Sequence, residues 1–423
     1  MSAGNAGTSP VAEALRFDRA ELGNGLTIIG EFNPHAATVA AGYFVRTGAR
    51  DETPEVAGVS HFLEHMLFKG TDRRTAADIN RSFDELGAQY NAFTSEERTV
   101  YYGAVLPERL PKLLDLLSDM MRPALRAEDF DVEKNVILEE IAMYEDRPNF
   151  RVFELAGHRF WNGHPLGNSV LGGQASIRAL KREQMLAYFG RRYAPSNLTL
   201  AVAGVYDWDA VLAQVRSLTS AWERYDVERA FPTPDCAVGE DATGDAKLER
   251  VHAALFAPGL AAADERRYAA AILANVLGDD SGSRLFWSLV DRGLADSASL
   301  GHEAFDGAGA YVGYVSAAPD RAAQVIDTFR GVLARAQDAP LDPAEWRRAQ
   351  RKLATGLTLR AETPLGRLSS LGAGYQTLGR YQSVQEVVDA VMGSSVEQGR
   401  ALLAERPFDR TYVHTLGPER ERS

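Results

Sequence analysis

Residues 58–70, GVSHFLEHMLFKG, limit what this chain can fold into more than any other stretch. Read as a helix, Val59, Phe62, Leu63, Met66 and Leu67 recur at i, i+3, i+4, i+7 and i+8, the stripe a helix lays on a core. His61, Glu64, His65 and Phe68 then project from the other side. Two imidazoles four residues apart stand one turn above each other and can share a metal ion. Zinc wants convergent nitrogen ligands and an open position for water, and Glu64 sits where it could take a proton from that water. The plainer alternative is an amphipathic helix that carries two histidines by chance. With only eight histidines in 423 residues, an accidental His-x-x-Glu-His is improbable.

A second stretch, 127–146 (AEDFDVEKNVILEEIAMYED), answers the first. On a helical wheel Phe130, Ile137, Ile141 and Tyr144 share one face with Val136 at its margin, and Glu133 and Glu140 fall in the middle of it. A buried carboxylate without a partner is costly, so these two must be paired, protonated or bound to a cation. The two histidines lack a third protein ligand. Glu140 is the natural supplier, and Glu133 is placed to orient a histidine. Glu139 lies about 100° round the helix and faces elsewhere. A salt-bridged pair in a crowded bundle is the competing explanation.

In chain order, residues 1–16 read as a loose leader and Asn24-Gly25 as a hairpin turn. Strands are expected at 26–31 and 38–46, and a helix at 75–86 capped by Gly87. Residues 88–106 read as two strands joined at Ser95-Glu96-Glu97. A strand beside a reactive helix can pair its free edge with an extended peptide, and Asn91, Ala92, Phe93 and Thr94 are the candidates for that edge. Helices follow at 110–121, ended by Pro123, and at 207–222. Residues 223–245 are polar, contain Pro232 and Pro234, show no periodicity and read as a linker.

The second half repeats the first as an order of elements. Strands are expected at 250–256, 310–317 and 411–416, with helices at 265–277, within 281–297, near 320–337, at 342–361 and at 384–404. No second His-x-x-Glu-His occurs there. His302 and His414 read as hydrogen-bonded structural residues, and 307–313 (GAGAYVG) as a loop near a cleft. The expected fold is α+β: two similar domains, each a mostly antiparallel sheet with helices packed on one face. The domains are 1–222, carrying the metal site, and 246–423, with 223–245 between them.

The length suits two domains of about 200 residues. Hydrophobic content of 45% and charged content of 25% describe a globular protein. A net charge of −12 argues against nucleic acid as a partner and mildly favours basic peptides. Cys236 is the single cysteine, so no intrachain disulfide can form. With no apolar region near the start and no run of 18 apolar residues, neither a secretory signal nor a membrane span is expected, and the cytoplasm is the default location.

The motif His61-Phe62-Leu63-Glu64-His65, followed about 75 residues on by Glu133 and Glu140, resembles the pitrilysin/insulysin family of inverted zincins, which includes the mitochondrial processing peptidases. KGT after the first helix, NAFTSEERTVYY, EEIAMYEDRP, HPLGNSVLGG at 164–173 and YAPSNLTLAVAGV at 193–205 are similar to segments of that family, most strongly over residues 20–205. The resemblance implies a processing-peptidase-like metallohydrolase fold with one Zn2+ per chain. It makes His61, His65 and Glu140 the zinc ligands, Glu64 the general base and Glu133 the supporting carboxylate. Asn91, Ala92, Phe93 and Thr94 would lie on the substrate edge. The implied activity is a zinc endopeptidase acting on unstructured peptides, working as a dimer with a second copy or a related chain. Three other readings compete. S-ribosylhomocysteine lyases share the motif but resemble a short single domain with a cysteine ligand. Non-catalytic scaffold partners of processing peptidases typically lack the motif. A structural zinc module needs a fourth ligand, and none is evident.

Overall fold

The computed structural model describes residues 15–419. The stretch expected as a leader lies, over residues 1–14, outside them. The first half runs β1 (Arg16–Glu21), β2 (Thr27–Phe32), β3 (Val39–Val45), α1 (Val59–Met66), α2 (Ala76–Leu86), β4 (Gln89–Thr94), β5 (Thr99–Val105), α3 (Leu110–Met120), α4 (Ala127–Glu145), α5 (Pro148–Phe160), α6 (Gln174–Ala179), α7 (Arg182–Arg192), β6 (Leu198–Gly204) and α8 (Trp208–Leu218). The second half runs β7 (Gly239–Gly244), β8 (Val251–Pro258), α9 (Arg267–Gly278), β9 (Ser297–Phe305), β10 (Ala308–Ala317), α10 (Ala322–Asp338), α11 (Pro343–Ala361), α12 (Pro364–Leu378), α13 (Val384–Gly393), α14 (Val396–Ala404) and β11 (Tyr412–Gly417).

Local chemistry sets several boundaries. Gly25 takes a φ of +91° in the turn between β1 and β2, a conformation that favours glycine. Thr75 caps α2 by accepting the Asp78 N–H, and Gly87 closes it in the left-handed region. The first sheet is ordered β1-β2-β6-β3-β5-β4 and the second β7-β11-β8-β10-β9. Among the described residues only β2/β6 and β7/β11 are parallel pairs. Without β1, the two sheets therefore share one strand order and one parallel pair at the same place. The repeat extends to the helices: α3, α4 and α5 follow β5 as α10, α11 and α12 follow β10, and α4 and α11 are each 19 residues long.

Alternation along the strands gives each sheet two apolar faces. Val39, Ala41, Tyr43 and Val45 of β3 face the helices of their own half. Ala40 and Phe44, with Ile29, Val100, Ala201 and Ala203, form the opposite face, and Leu368 and Leu371 of α12 cover it. The exchange is reciprocal. Val152, Ala156 and Phe160 of α5 cover Ala254, Phe256, Ala310, Tyr412 and Leu416 on the second sheet. Each half thus lends one helix to the other's back face. Gly372 makes the first of these contacts possible, since a Cβ there would lie 2.3 Å from the Phe44 ring.

Several expectations are corrected. The 58–70 helix is regular only over Val59–Met66, and Phe68 turns inward beside Phe83, Tyr90 and Tyr101 instead of facing out. Within 281–297 the expected entry turn and helix are present, but the helix is short, spanning 284–290 with a wider winding at Phe286–Val290, and β9 begins at Ser297. The glycine-rich 307–313 is mostly strand β10, not a loop. The 384–404 helix is two, α13 and α14, separated at Ser394 with Ser395 capping the second. The segment expected as a linker is irregular to residue 238 and then supplies β7, the edge strand paired with β11. His302 accepts a hydrogen bond from the Leu260 N–H, and His414 bonds Thr243, so both are structural as expected. Among the described residues no helix is long and apolar enough to cross a membrane.

Candidate metal centre

Helix α1 is anchored from outside its own turns. The buried Glu52 carboxylate accepts from the Gly58 N–H at 2.6 Å and the Ser60 N–H at 2.7 Å, satisfying amides that a helix start leaves free. Burial pushes that carboxyl up to about 8, against the pull of these donors. Val59, Phe62, Leu63 and Met66 are fully buried, which fixes the rotation of α1. Phe62 stacks on Phe130 of α4 with ring centroids 4.7 Å apart, and that contact brings the two helices together.

With α1 and α4 so placed, the polar groups converge. Glu140 Oε2 lies 3.7 Å from His61 Nε2 and 3.4 Å from His65 Nε2. One donor atom from each of the three side chains falls within 4.8 Å of the other two, and among the described residues no other such group of histidine, cysteine or carboxylate side chains occurs. Four ligands about 2 Å from a tetrahedral ion stand roughly 3.3 Å apart, so two imidazole nitrogens and one carboxylate oxygen at these separations fit zinc.

The surroundings fix which nitrogen is free. Glu133, almost fully buried, places Oε1 2.7 Å from His65 Nδ1. A proton on Nδ1 leaves the Nε2 lone pair aimed at Glu140. The other Glu133 oxygen meets Lys69 Nζ at 2.5 Å. Burial opposes ionisation of both His65 and Glu133. Their mutual hydrogen bond, with Lys69 beside Glu133, outweighs it, raising the imidazole and lowering the carboxyl. His61 behaves oppositely: burial, then the neighbouring His65, drives it down to about 3, a neutral ring suited to ligation. Glu64, on the same face of α1, is raised by burial despite accepting the Thr94 hydroxyl at 2.6 Å.

Four of the five residues expected to do chemistry are therefore in one place, with Glu64 beside them. Strand β4 lies at the end of its sheet and pairs only with β5 among the described residues. Ala92 packs into the helix-side core and Thr94 reaches Glu64, while Phe93 points to the other face beside Tyr102 and Asn91 is exposed. Three contributors went unread in the sequence: Lys69, Glu52 and the side chain of Thr94. Lys69 stands four residues after His65, a spacing that could have marked it. Nothing local marks Glu52.

Glu133→Gln should weaken zinc binding about 10- to 100-fold, because the amide grips His65 less firmly. A chelator-competition titration measures this, and unchanged affinity would remove Glu133 from the site.

A family model described as insulinase, peptidase family M16, matches residues 27–174, and one described as the peptidase M16 inactive domain matches residues 179–353. The chain is 32% identical over 395 residues to an uncharacterized zinc protease of Bacillus subtilis strain 168, covering 93% of this chain and 96% of that one. Its fold is similar to that of a protease from Helicobacter pylori, with a TM-score of 0.88 and 19% identity over 96% of this chain and 100% of the other. It is also similar to a peptidase M16 inactive domain from Pseudomonas fluorescens, with a TM-score of 0.86 and 17% identity over 97% and 99% of the two chains.

Proposed function

The chain belongs to the insulinase family of peptidases, M16, and from that premise we propose that it is a zinc endopeptidase cleaving unstructured peptides, with one zinc ion per chain. The observation that carries this reading is the meeting of His61 Nε2, His65 Nε2 and Glu140 Oε2 beside a Glu64 carboxylate held by Thr94. These three side chains would hold the zinc. When bound there, the ion supplies a Lewis acid for the scissile carbonyl and lowers the pKa of a water.

The chain's own residues do the rest. Glu64, its carboxyl raised by burial, takes a proton from the attacking water and passes it to the departing amine nitrogen. Glu133 and Lys69 hold His65 in the tautomer that ligates. The free edge of β4, residues Asn91 to Thr94, offers backbone groups to an extended peptide, leaving its side chains largely unread. That mode favours unstructured substrates.

We propose further that the chain works as a dimer, the first half of one copy against the second half of another copy or of a related chain. Opposite charge on two equivalent helices supports this. Exposed α4 residues include Asp131 and Glu139 with Val132, Val136 and Met143, whereas exposed α11 residues include Arg347, Arg348, Arg351 and Arg360. A purely scaffolding role is disfavoured because the motif is complete.

The test is hydrolysis of a quenched, unstructured peptide by the purified chain, before and after treatment with a zinc chelator. Activity should vanish on chelation and return with one equivalent of Zn2+. Cleavage indifferent to the chelator, or none from zinc-loaded protein, overturns the proposal.

A further inference from the structure

The second half supplies none of the three converging ligands, yet it touches the two segments from which the base is hung. The loop 46–52 leads to Glu52, which clamps the start of α1. The turn 95–98 follows Thr94, which holds Glu64. Loop and turn are laced together: Ala49 N–H donates to Ser95 O at 3.1 Å and Arg50 N–H to Glu96 O at 2.9 Å. Their approach is so close that a Cβ on Gly48 would lie 2.2 Å from Ser95 O.

At the centre of this junction is a buried ion pair. Arg50 binds Glu97, and the two side chains are 2% and 7% exposed. The turn between β9 and β10 closes over it from the second half. The Asp306 N–H donates to Glu97 Oε1 at 3.0 Å, the Asp306 carbonyl accepts from Arg50 at 3.0 Å, and the Asp306 carboxylate meets Arg46 at 2.7 Å. Arg98 reaches on to Thr377 of α12 at 2.8 Å. The connecting segment adds Phe231, with the Arg50 guanidinium 3.9 Å over its ring.

We infer that Glu97 is a positioning residue for Glu64: it ties the β9–β10 turn of the second half to the loop and turn that fix Thr94 and α1. The inference rests on the peptidase reading for its effect on rate, but its structural content does not. Glu97 is far too engaged to touch substrate, and it acts through the placement of Thr94. A base displaced by a fraction of an ångström from the water it deprotonates loses rate without losing substrate, because β4 binds through its backbone.

The test replaces the pair by apolar residues of similar bulk, Arg50→Met with Glu97→Leu, in the full chain, so that no buried charge is left alone. The expected result is a kcat lower by about 10- to 100-fold, with KM and the zinc dissociation constant within about threefold of wild type. Amide exchange should quicken over both 92–99 and 58–66. Glu97→Gln, which keeps an acceptor for the Asp306 N–H, should fall between; it carries the test alone if the double variant does not fold. A wild-type kcat, or a loss confined to KM or zinc affinity, overturns the inference. Should the wild-type chain hydrolyse no peptide, the proposed function fails instead. Exchange at 58–66 then decides the positioning role: unchanged protection there refutes it.

Discussion

Glu64→Gln is expected to bind zinc as the wild type does and to hydrolyse peptides about 100- to 10,000-fold more slowly. Glutamine keeps the size of the side chain and can still accept the Thr94 hydroxyl, so α1 and β4 should stay as they are. Glu64 is not one of the three donors that converge, and its loss leaves His61, His65 and Glu140 in place. What the amide cannot do is take a proton. The combination to look for is full zinc content with near-absent turnover, measured on one preparation. Near-wild-type turnover would take the base role from Glu64. Loss of zinc would mean that Glu64 shapes the ligand set.

Arg367→Ala should cost about 3–5 kcal/mol of stability, a much larger effect than a surface ion pair would give. Arg367, on α12, forks onto Glu31 of β2 at 2.7 and 2.6 Å, and Tyr381 donates to the same carboxylate at 2.6 Å. Both charged side chains are under a tenth exposed, so truncating the arginine strands a buried carboxylate. This contact seats α12 on the back of the first sheet, where Leu368 and Leu371 meet Phe44 and Ala201. For halves of roughly 200 residues the melting temperature should drop by about 10 °C. Replacing both partners, Glu31→Met with Arg367→Met, should recover much of the loss, since the desolvated charges go together. Calorimetry on the three proteins decides it. A shift below about 1 kcal/mol for Arg367→Ala would show that packing alone holds the helix.

The metal-bearing helices could be read from sequence because their patterns conflict with burial unless a partner exists. Glu133 and Glu140 sit among Phe130, Ile137 and Ile141, and two histidines one turn apart complete the sum. The exchanged helices are silent for the opposite reason. In α5 only Val152, Ala156 and Phe160 are buried, a stripe one residue wide that points at a sheet some 100 residues later in the chain. In α12 the glycines at 366, 372 and 374 hide the helix, because glycine is a poor helix former. Gly372 is there because the helix must approach Phe44 closely, a tertiary demand invisible locally. β9 hides behind small residues: only Ala298 and Leu300 of its nine are buried. The unbroken helix expected at 384–404 overlooked the serines that cap two separate ones, although Ser383 and Ser395 were in plain view.

X-ray absorption at the zinc edge on the purified, dialysed chain, alongside its metal content, tests the ligation by His61, His65 and Glu140 most directly. One zinc per chain is expected, with a first shell of nitrogen and oxygen about 2.0–2.1 Å away that includes two imidazoles, and this shell should be lost in Glu140→Ala. Zinc well below one per chain, a shell with sulfur or a single imidazole, or an unaltered shell in Glu140→Ala would contradict that ligation.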